Sequence, residues 1–164
     1  MKKTKPLFIV FCVISLIVMI IIFTLSSQNG TMSSDLSIRV ARRIAKLIFF
    51  KYESMSEQLK ETIVNGLNGF VRKLAHFSIY ALLGINVSIS VSFITNKIRS
   101  RIIMSVFVCG LYAALDETHQ YFVSGRSGAI TDVLIDTSGS VFGIIAVLTV
   151  CSVIYYIKNK RFDT

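Results

Sequence analysis

The chain has 164 residues, of which 53% are hydrophobic and only 16% are charged. A soluble domain carries about 25% charged residues, and one of this length could not bury so much apolar surface, so a soluble enzyme and a disordered tail are both excluded. The net charge of +9 lies between apolar runs, which favours contact with anionic lipid over binding of nucleic acid.

Four apolar runs predict an all-α polytopic membrane protein that forms a single domain over residues 1–164. A spanning helix needs about 20 mostly apolar residues, and the runs predict spans at about 7–25, 73–94, 102–123 and 133–157. We interpret the first run as an uncleaved span. It is longer than the usual apolar part of a signal peptide, and no A-x-A site follows it; a cleaved signal peptide is the alternative.

The loop between the first two spans, about residues 26–72, is predicted to be amphipathic and helical. Ser33, Ser34 and Asp35 can cap a first helix, with apolar residues at helical spacing on one side and basic residues on the other. The apolar set is Leu36, Val40, Ile44, Leu47 and Ile48. This pattern is typical of a helix that lies in the membrane interface and contacts anionic lipid.

A second, short helix is predicted to begin at Ser56. Asn65-Gly66 and Asn68-Gly69 are expected to break it before the second span. The alternative for the whole loop is a solvated, charged segment without an interfacial helix.

The basic residues indicate the orientation. With the N-terminus inside, nine Lys and Arg residues lie in three short cytoplasmic segments, and nine lie outside, eight of them in the long first loop and its junction with the second span. Short loops carry more weight in the positive-inside rule. We therefore expect a multi-pass protein of the cell membrane with both termini in the cytoplasm.

The polar residues of the spans are predicted to lie at one depth. At 1.5 Å per residue, Asp116 lies about 21 Å beyond Ile102 in a core about 30 Å thick, which places it about 9 Å below the outer boundary. His76 lies near the start of the second span and Asp136 near the start of the fourth, at similar levels. A functional pocket in the outer leaflet is therefore expected, because charged residues at such depth are costly.

Helical spacing assigns these residues to faces. The second span presents Arg72, His76 and Tyr80 as one stripe, while Asp116 with Gln120 and Asp132 with Asp136 are one turn apart on the third and fourth spans. The run from residue 139 to residue 143 is a GxxxG pattern, which allows another helix to approach closely.

The same residues carry a resemblance to the VanZ-like family. It rests on residues 23–28 (FTLSSQ), on 72–77 (RKLAHF) with Tyr80 and Gly84, and on 116–122 (DETHQYF) followed by Gly125, Arg126, Asp132, Gly139 and Gly143. Two positions depart from the family pattern: Ser124 stands where Pro is common, and Asp136 where Asn is common. The resemblance implies a small integral membrane protein linked to glycopeptide resistance, chiefly to teicoplanin, and supplies no catalytic residue.

The candidate catalytic residues are His76, Asp116 and Glu117, as acid/base groups. The candidate substrate-binding residues are Arg72, Lys73, Tyr80, His119, Gln120, Arg126, Asp132 and Asp136. The structural alternatives are a packed histidine bonded to a carboxylate, and ion pairs of the acids with Arg72 or Arg126. No cofactor and no metal site is predicted: the carboxylates and histidines could hold a cation, but metal-loop spacing is absent from the sequence.

The leading functional hypothesis is a membrane protein that binds or modifies an anionic cell-envelope or lipid-linked molecule. Whether it is an enzyme stays open; the first alternative is a non-catalytic membrane protein that binds a precursor, an antibiotic or a partner protein. A small proton-coupled transporter is disfavoured, since four spans offer little room and no polar residue lies deep in the inner half. The expected partners are membrane lipids and a lipid-linked precursor, with a homo-oligomer as an open alternative and no nucleic acid.

Overall fold

Five α-helices follow one another along the chain. The computed structural model describes residues 4–28, 30–126 and 128–160, without the side chains of residues 4 and 30–34. The helices are α1 (Thr4–Ser26), α2 (Gly30–Ile48), α3 (Glu57–Ser92), α4 (Ile98–Tyr121) and α5 (Ile130–Lys160), with a short 3-10 turn at Tyr52–Ser54. The described part of the chain contains no strand, which confirms the all-α prediction.

Four of the helices, α1, α3, α4 and α5, are long and apolar enough to cross a membrane. By length and composition they indicate a multi-pass membrane protein, as the apolar runs predict. Along α1, large side chains such as Leu16 and Ile20 are more than half exposed, which suits a helix that faces lipid acyl chains. The orientation of the two termini stays a prediction.

Helix α3 is the centre of the bundle, because it packs against each of the other four helices. Its buried side chains include Tyr80 and Leu83, which contact Ile22 of α1 and Cys109 and Ala113 of α4 in one apolar cluster. This arrangement places the polar stripe of α3 where side chains from α1, α4 and α5 can reach it.

The contact between α3 and α5 is unusually close. A Cβ atom added to Gly139 would overlap the carbonyl oxygen of Phe77, and one added to Gly143 would overlap that of Ala81. The GxxxG run is therefore pressed against the backbone of α3, which confirms the close approach predicted from its spacing.

Two predictions about the first loop are wrong. Helix α2 begins at Gly30, before the predicted cap at residues 33–35, and α3 continues without a break through both Asn-Gly pairs. A glycine inside a helix costs only about 1 kcal/mol relative to alanine, and packing of Val64 and Val71 against α2 offsets this cost. The predicted start is confirmed: Ser56 caps α3 by accepting the N–H of Leu59 at 3.4 Å.

The face by which α2 packs on α3 also differs from the predicted apolar stripe. Small residues fill the contact, since Ala41 and Ala45 are fully buried. Of the predicted apolar set, Ile44 is partly buried in this contact, whereas Leu36 is 54% exposed and Leu47 is 85% exposed. These two leucines are thus left available to lipid, as an interfacial helix requires.

Candidate functional site

The polar residues of four helices meet at one end of the bundle. There α1 and α4 end, at Ser26 and Tyr121, and α5 begins at Ile130, all beside the middle of the long helix α3. Polar side chains near these helix ends therefore reach the stripe on α3, and the spacing of that stripe brings His76 and Tyr80 to the same side.

Asp116 is the centre of the buried network. Its Oδ2 accepts hydrogen bonds from Ser26 Oγ at 2.8 Å, from Gln120 Nε2 at 3.0 Å and from Tyr80 OH at 3.3 Å. The residue is only 3% exposed, so a single carboxylate oxygen connects α1, α3 and α4. Its other oxygen, Oδ1, is buried and has no hydrogen-bond partner among the described residues.

His76 pairs with a second buried carboxylate. Its Nδ1 lies 3.6 Å from Oδ2 of Asp136, a residue that is 1% exposed. The histidine thus lies beside a neighbouring acid, as the structural alternative expects, but 3.6 Å is longer than a hydrogen bond. Oδ1 of Asp136, like that of Asp116, has no partner within the described chain.

Glu117 faces a different neighbour from Asp116. Its Oε1 accepts the backbone N–H of Ala129 at 2.7 Å and so holds the residue that precedes α5. Adjacent positions on a helix do not share a face, and the two carboxylates accordingly make separate contacts. They do not form one acid pair.

Arg126 connects the end of α1 to the end of α4 through neutral acceptors. Its Nε donates to the carbonyl of Gln28 at 3.0 Å, Nη1 to Oε1 of Gln120 at 2.9 Å, and Nη2 to the carbonyl of Leu25 at 3.0 Å. Burial, with the charge of Arg72, lowers the pKa of Arg126. The guanidinium nevertheless stays protonated, because arginine does not lose its proton in proteins.

Arg72 makes no hydrogen bond or ion pair with any described residue. The predicted structural alternative, in which Arg72 or Arg126 neutralises the acids of the third helix, is therefore wrong for the described contacts. Neither guanidinium forms an ion pair with a carboxylate of the described chain, although the charges of Arg72, Asp116 and Glu117 all act on Arg126.

A cavity of about 220 Å³ lies between these groups, and we call it the polar cavity. Its lining consists of Gly69, Arg72, Lys73, His76, Glu117, Gln120, Gly125, Arg126, Asp132, Ile135 and Asp136. Gly125 has a φ of 76°, a left-handed conformation that glycine adopts without strain. It turns the chain so that Arg126 points back to the bundle. At the rim, Lys73 and Asp132 form a long contact of 3.8 Å, which is weak because both side chains are solvated.

Three predicted site residues do not line the polar cavity. Tyr80 and Asp116 are buried behind it, where they hydrogen-bond to each other. His119 lies on the side of α1, where its ring stacks on Phe23 with 4.6 Å between centroids and its Nε2 is 3.1 Å from Ser27 Oγ. A role for His119 in this cavity is therefore not supported by its position.

An apolar cleft of about 260 Å³ adjoins the polar cavity. The two share Arg72, His76 and Arg126, and the rest of the cleft is mainly aliphatic. Those aliphatic residues come from α1, α2 and α3: Ile22, Leu25, Leu36, Val40, Val71, Ala75 and Ile79. The polar cavity and the apolar cleft thus meet at two arginines and one histidine.

Comparison with known proteins gives one match. The family model described as VanZ/LLP1 matches residues 11–154. The chain belongs to the VanZ/LLP1 family. No curated protein and no solved structure matches. The matched segment includes every residue that lines the polar cavity of this family member.

Sequence reasoning missed one member of the site in this VanZ/LLP1 chain. Ser26 is not among the site residues predicted from the sequence, yet it is fully buried and donates to Asp116. The available signal is the FTLSSQ motif that carries the family resemblance.

The donors best placed to hold a metal ion are His76, Asp116 and Asp136, each with one ligand atom within 4.8 Å of the others.

Proposed function

We propose that this VanZ/LLP1 protein binds the anionic headgroup of a lipid-linked cell-envelope molecule in the polar cavity, at the outer face of the membrane. Through that molecule it would reduce the action of teicoplanin-type glycopeptides, as the family resemblance implies. The observation that carries the proposal is the pair Arg72 and Arg126, which line one cavity without a carboxylate partner in the described chain.

The lining carries three basic and three acidic side chains, and the free donors of Arg72 favour an anion with several oxygens. Arg72 has five unused N–H donors, and a guanidinium binds phosphate through two parallel hydrogen bonds. The carboxylates compete weakly, since Glu117 accepts from Ala129 and Asp136 contacts His76. A phosphate or diphosphate between Arg72 and Arg126 would remove the repulsion between them.

The neighbouring apolar cleft favours an amphiphile over a free anion. Because Arg72, His76 and Arg126 belong to both compartments, a headgroup in the cavity would have its hydrocarbon chain beside α1, α2 and α3. Burial of that chain contributes about 25 cal/mol per Å² of apolar surface. Polyisoprenyl phosphates combine these two chemical features.

The size of the cavity argues against the antibiotic itself as its occupant. Pockets for drug-sized molecules measure about 300–1,000 Å³, whereas the polar cavity measures about 220 Å³. A phosphate-containing headgroup is compatible with that volume, and a glycopeptide antibiotic is far too large. The proposed effect on resistance therefore acts through the envelope molecule.

An enzyme that modifies the same molecule is the second candidate. Its support is that His76 and Glu117 line the polar cavity together with the cationic side chains, where they would face a bound headgroup. Mass spectrometry of envelope lipids and precursors, with and without the protein, separates the candidates. A new species requires an enzyme, and unchanged lipids favour binding alone.

Binding can be measured with the full chain in detergent and a polyisoprenyl diphosphate, with the uncharged polyisoprenyl alcohol as the comparison ligand. Arg72→Gln should weaken diphosphate binding at least tenfold, because charged hydrogen bonds contribute about 1.5–3 kcal/mol. Arg99→Gln is the matched control, since Arg99 is exposed near the start of α4, at the other end of that helix from the cavity. Equal binding by Arg72→Gln and the unmodified chain, or equal binding of alcohol and diphosphate, would refute the proposal.

A further inference from the structure

Three side chains from three helices come together at the inner wall of the polar cavity. His76 lies on α3, Asp116 on α4 and Asp136 on α5, and each offers one ligand atom within 4.8 Å of the other two. The two aspartates are 3% and 1% exposed. Two carboxylates are rarely buried so close together unless a cation or a proton compensates their charge.

The hydrogen bonds leave lone pairs unused at this cluster. Asp116 Oδ2 accepts three hydrogen bonds, from Ser26, Tyr80 and Gln120. Yet Oδ1 of Asp116 and Oδ1 of Asp136 are both buried without a hydrogen-bond partner in the described part of the chain. Unsatisfied buried oxygens are uncommon and costly, and a bound ion is one of the few structural reasons for them.

The charges at the cluster also favour a bound cation. Among the described ion pairs, only His76–Asp136 involves this cluster. The guanidinium of Arg126 is occupied by neutral acceptors. Within the described residues, only His76 forms an ion pair with one of the two buried carboxylates, and the charge of Arg126 acts on Asp116 without an ion pair. A divalent cation would balance both carboxylates and leave the imidazole neutral, the form in which histidine coordinates a metal.

We propose that His76, Asp116 and Asp136 form a binding site for one divalent transition-metal ion of the zinc class. The imidazole nitrogen selects against Mg²⁺ and Ca²⁺, which prefer oxygen ligands. Three protein ligands leave a fourth position open, the arrangement of catalytic rather than structural zinc sites. Because His76 and Asp136 also line the polar cavity, a molecule in that cavity would have access to the ion.

The surroundings of the ligands support coordination. Ligands bound to zinc at about 2.0–2.2 Å in a tetrahedron lie roughly 3.4 Å apart, so side-chain movements of no more than about 1.4 Å would bring the present atoms to that distance. Hydrogen bonds from Ser26, Tyr80 and Gln120 hold the Asp116 carboxylate in place, and metal ligands are commonly oriented by hydrogen bonds of this kind. The alternative for the same cluster is a proton shared between the two carboxylates.

The test is the metal content of the full chain, purified in detergent without a histidine tag, incubated with Zn²⁺ and then desalted. We expect one zinc per chain by elemental mass spectrometry, and visible absorption of a tetrahedral site when Co²⁺ replaces Zn²⁺. His76→Gln and Asp136→Asn should each lower the zinc content at least tenfold. The matched controls are His119→Gln and Asp132→Asn, which change the same residue types outside the cluster and should keep one zinc.

Thermal unfolding and gel filtration of each variant establish that a loss of zinc is not a loss of fold. No zinc or cobalt bound by the unmodified chain would overturn the proposal in favour of a shared proton. The same zinc content in all variants would overturn it in favour of an adventitious ion elsewhere. Arg72→Gln, which removes the proposed headgroup partner, should keep its zinc, so this proposal and the proposed function can fail independently.

Discussion

The close contact between α3 and α5 leads to the sharpest prediction about stability. In Gly143→Ala, the added Cβ would overlap the carbonyl oxygen of Ala81, which belongs to backbone and cannot rotate away. The two helices must therefore separate. In Gly66→Ala, by contrast, the Cβ meets nothing within 4 Å, and Gly66, like Gly143, lies inside a continuous helix, in this case α3.

The two substitutions share the same change in helix propensity, and this allows the contact to be isolated. Alanine is favoured over glycine by about 1 kcal/mol in a helix, so Gly66→Ala should stabilise the protein by up to that amount. Overpacking in a well-packed contact costs about 1–3 kcal/mol, and that cost opposes the gain in Gly143→Ala. The free energies of unfolding of the two variants should therefore differ by about 1–3 kcal/mol, with Gly143→Ala the less stable.

The assay is thermal and denaturant unfolding of the full chain in one detergent, compared among the unmodified chain and the two variants. Gly110→Ala is a further control, because its Cβ would contact only the Thr137 side chain, at 3.8 Å. Equal stability of Gly143→Ala and Gly66→Ala would show that α5 does not pack on α3 as closely as described, and the reasoning would be refuted.

Three further predictions concern the site and its side of the membrane. Ser26→Ala removes the 2.8 Å hydrogen bond to Asp116 and should destabilise the protein by about 1–3 kcal/mol. Ser27→Ala, at an exposed position, should change the unfolding free energy by less than about 0.5 kcal/mol. In a chain without native cysteines, Ser124→Cys should react with a membrane-impermeant maleimide in intact cells, and Asn96→Cys only after permeabilisation. The reverse pattern would place the polar cavity on the cytoplasmic side. Expression in a susceptible host should raise the teicoplanin concentration needed to inhibit growth, and Arg72→Gln should abolish this increase; an increase that survives that substitution would contradict headgroup binding.

The meeting of the polar residues was predictable, because it follows from constants of the helix. A fixed rise per residue places Asp116 and His76 at similar depths, and a fixed turn aligns His76 with Tyr80. The structure brings these side chains into one network with Ser26. Neither inference required knowledge of which helices are neighbours. Consecutive spans run in opposite directions, so the end of one span and the start of the next lie at the same face of the membrane.

What the sequence could not predict depends on tertiary contacts. The Asn-Gly pairs of α3 are local signals for a break, but Val64 packs against α2 and the helix continues. His119 is on the same helix turn as Asp116, yet stacking on Phe23 holds it beside α1. In both cases the outcome depends on a contact with another helix, and the position of that helix cannot be predicted from a local sequence pattern.

The glycine contacts and the polar cluster belong to one arrangement. Gly139 lies three residues after Asp136, and the backbone it touches is that of Phe77, the residue next to His76. The absence of a side chain at Gly139 therefore sets how near α5 comes to α3 at the level where His76 and Asp136 are 3.6 Å apart. A bulkier residue there would separate the helices and, with them, the two side chains. The small residues of α5 thus do more than pack a membrane bundle: they set the distance on which both the His76–Asp136 pair and the proposed metal site depend.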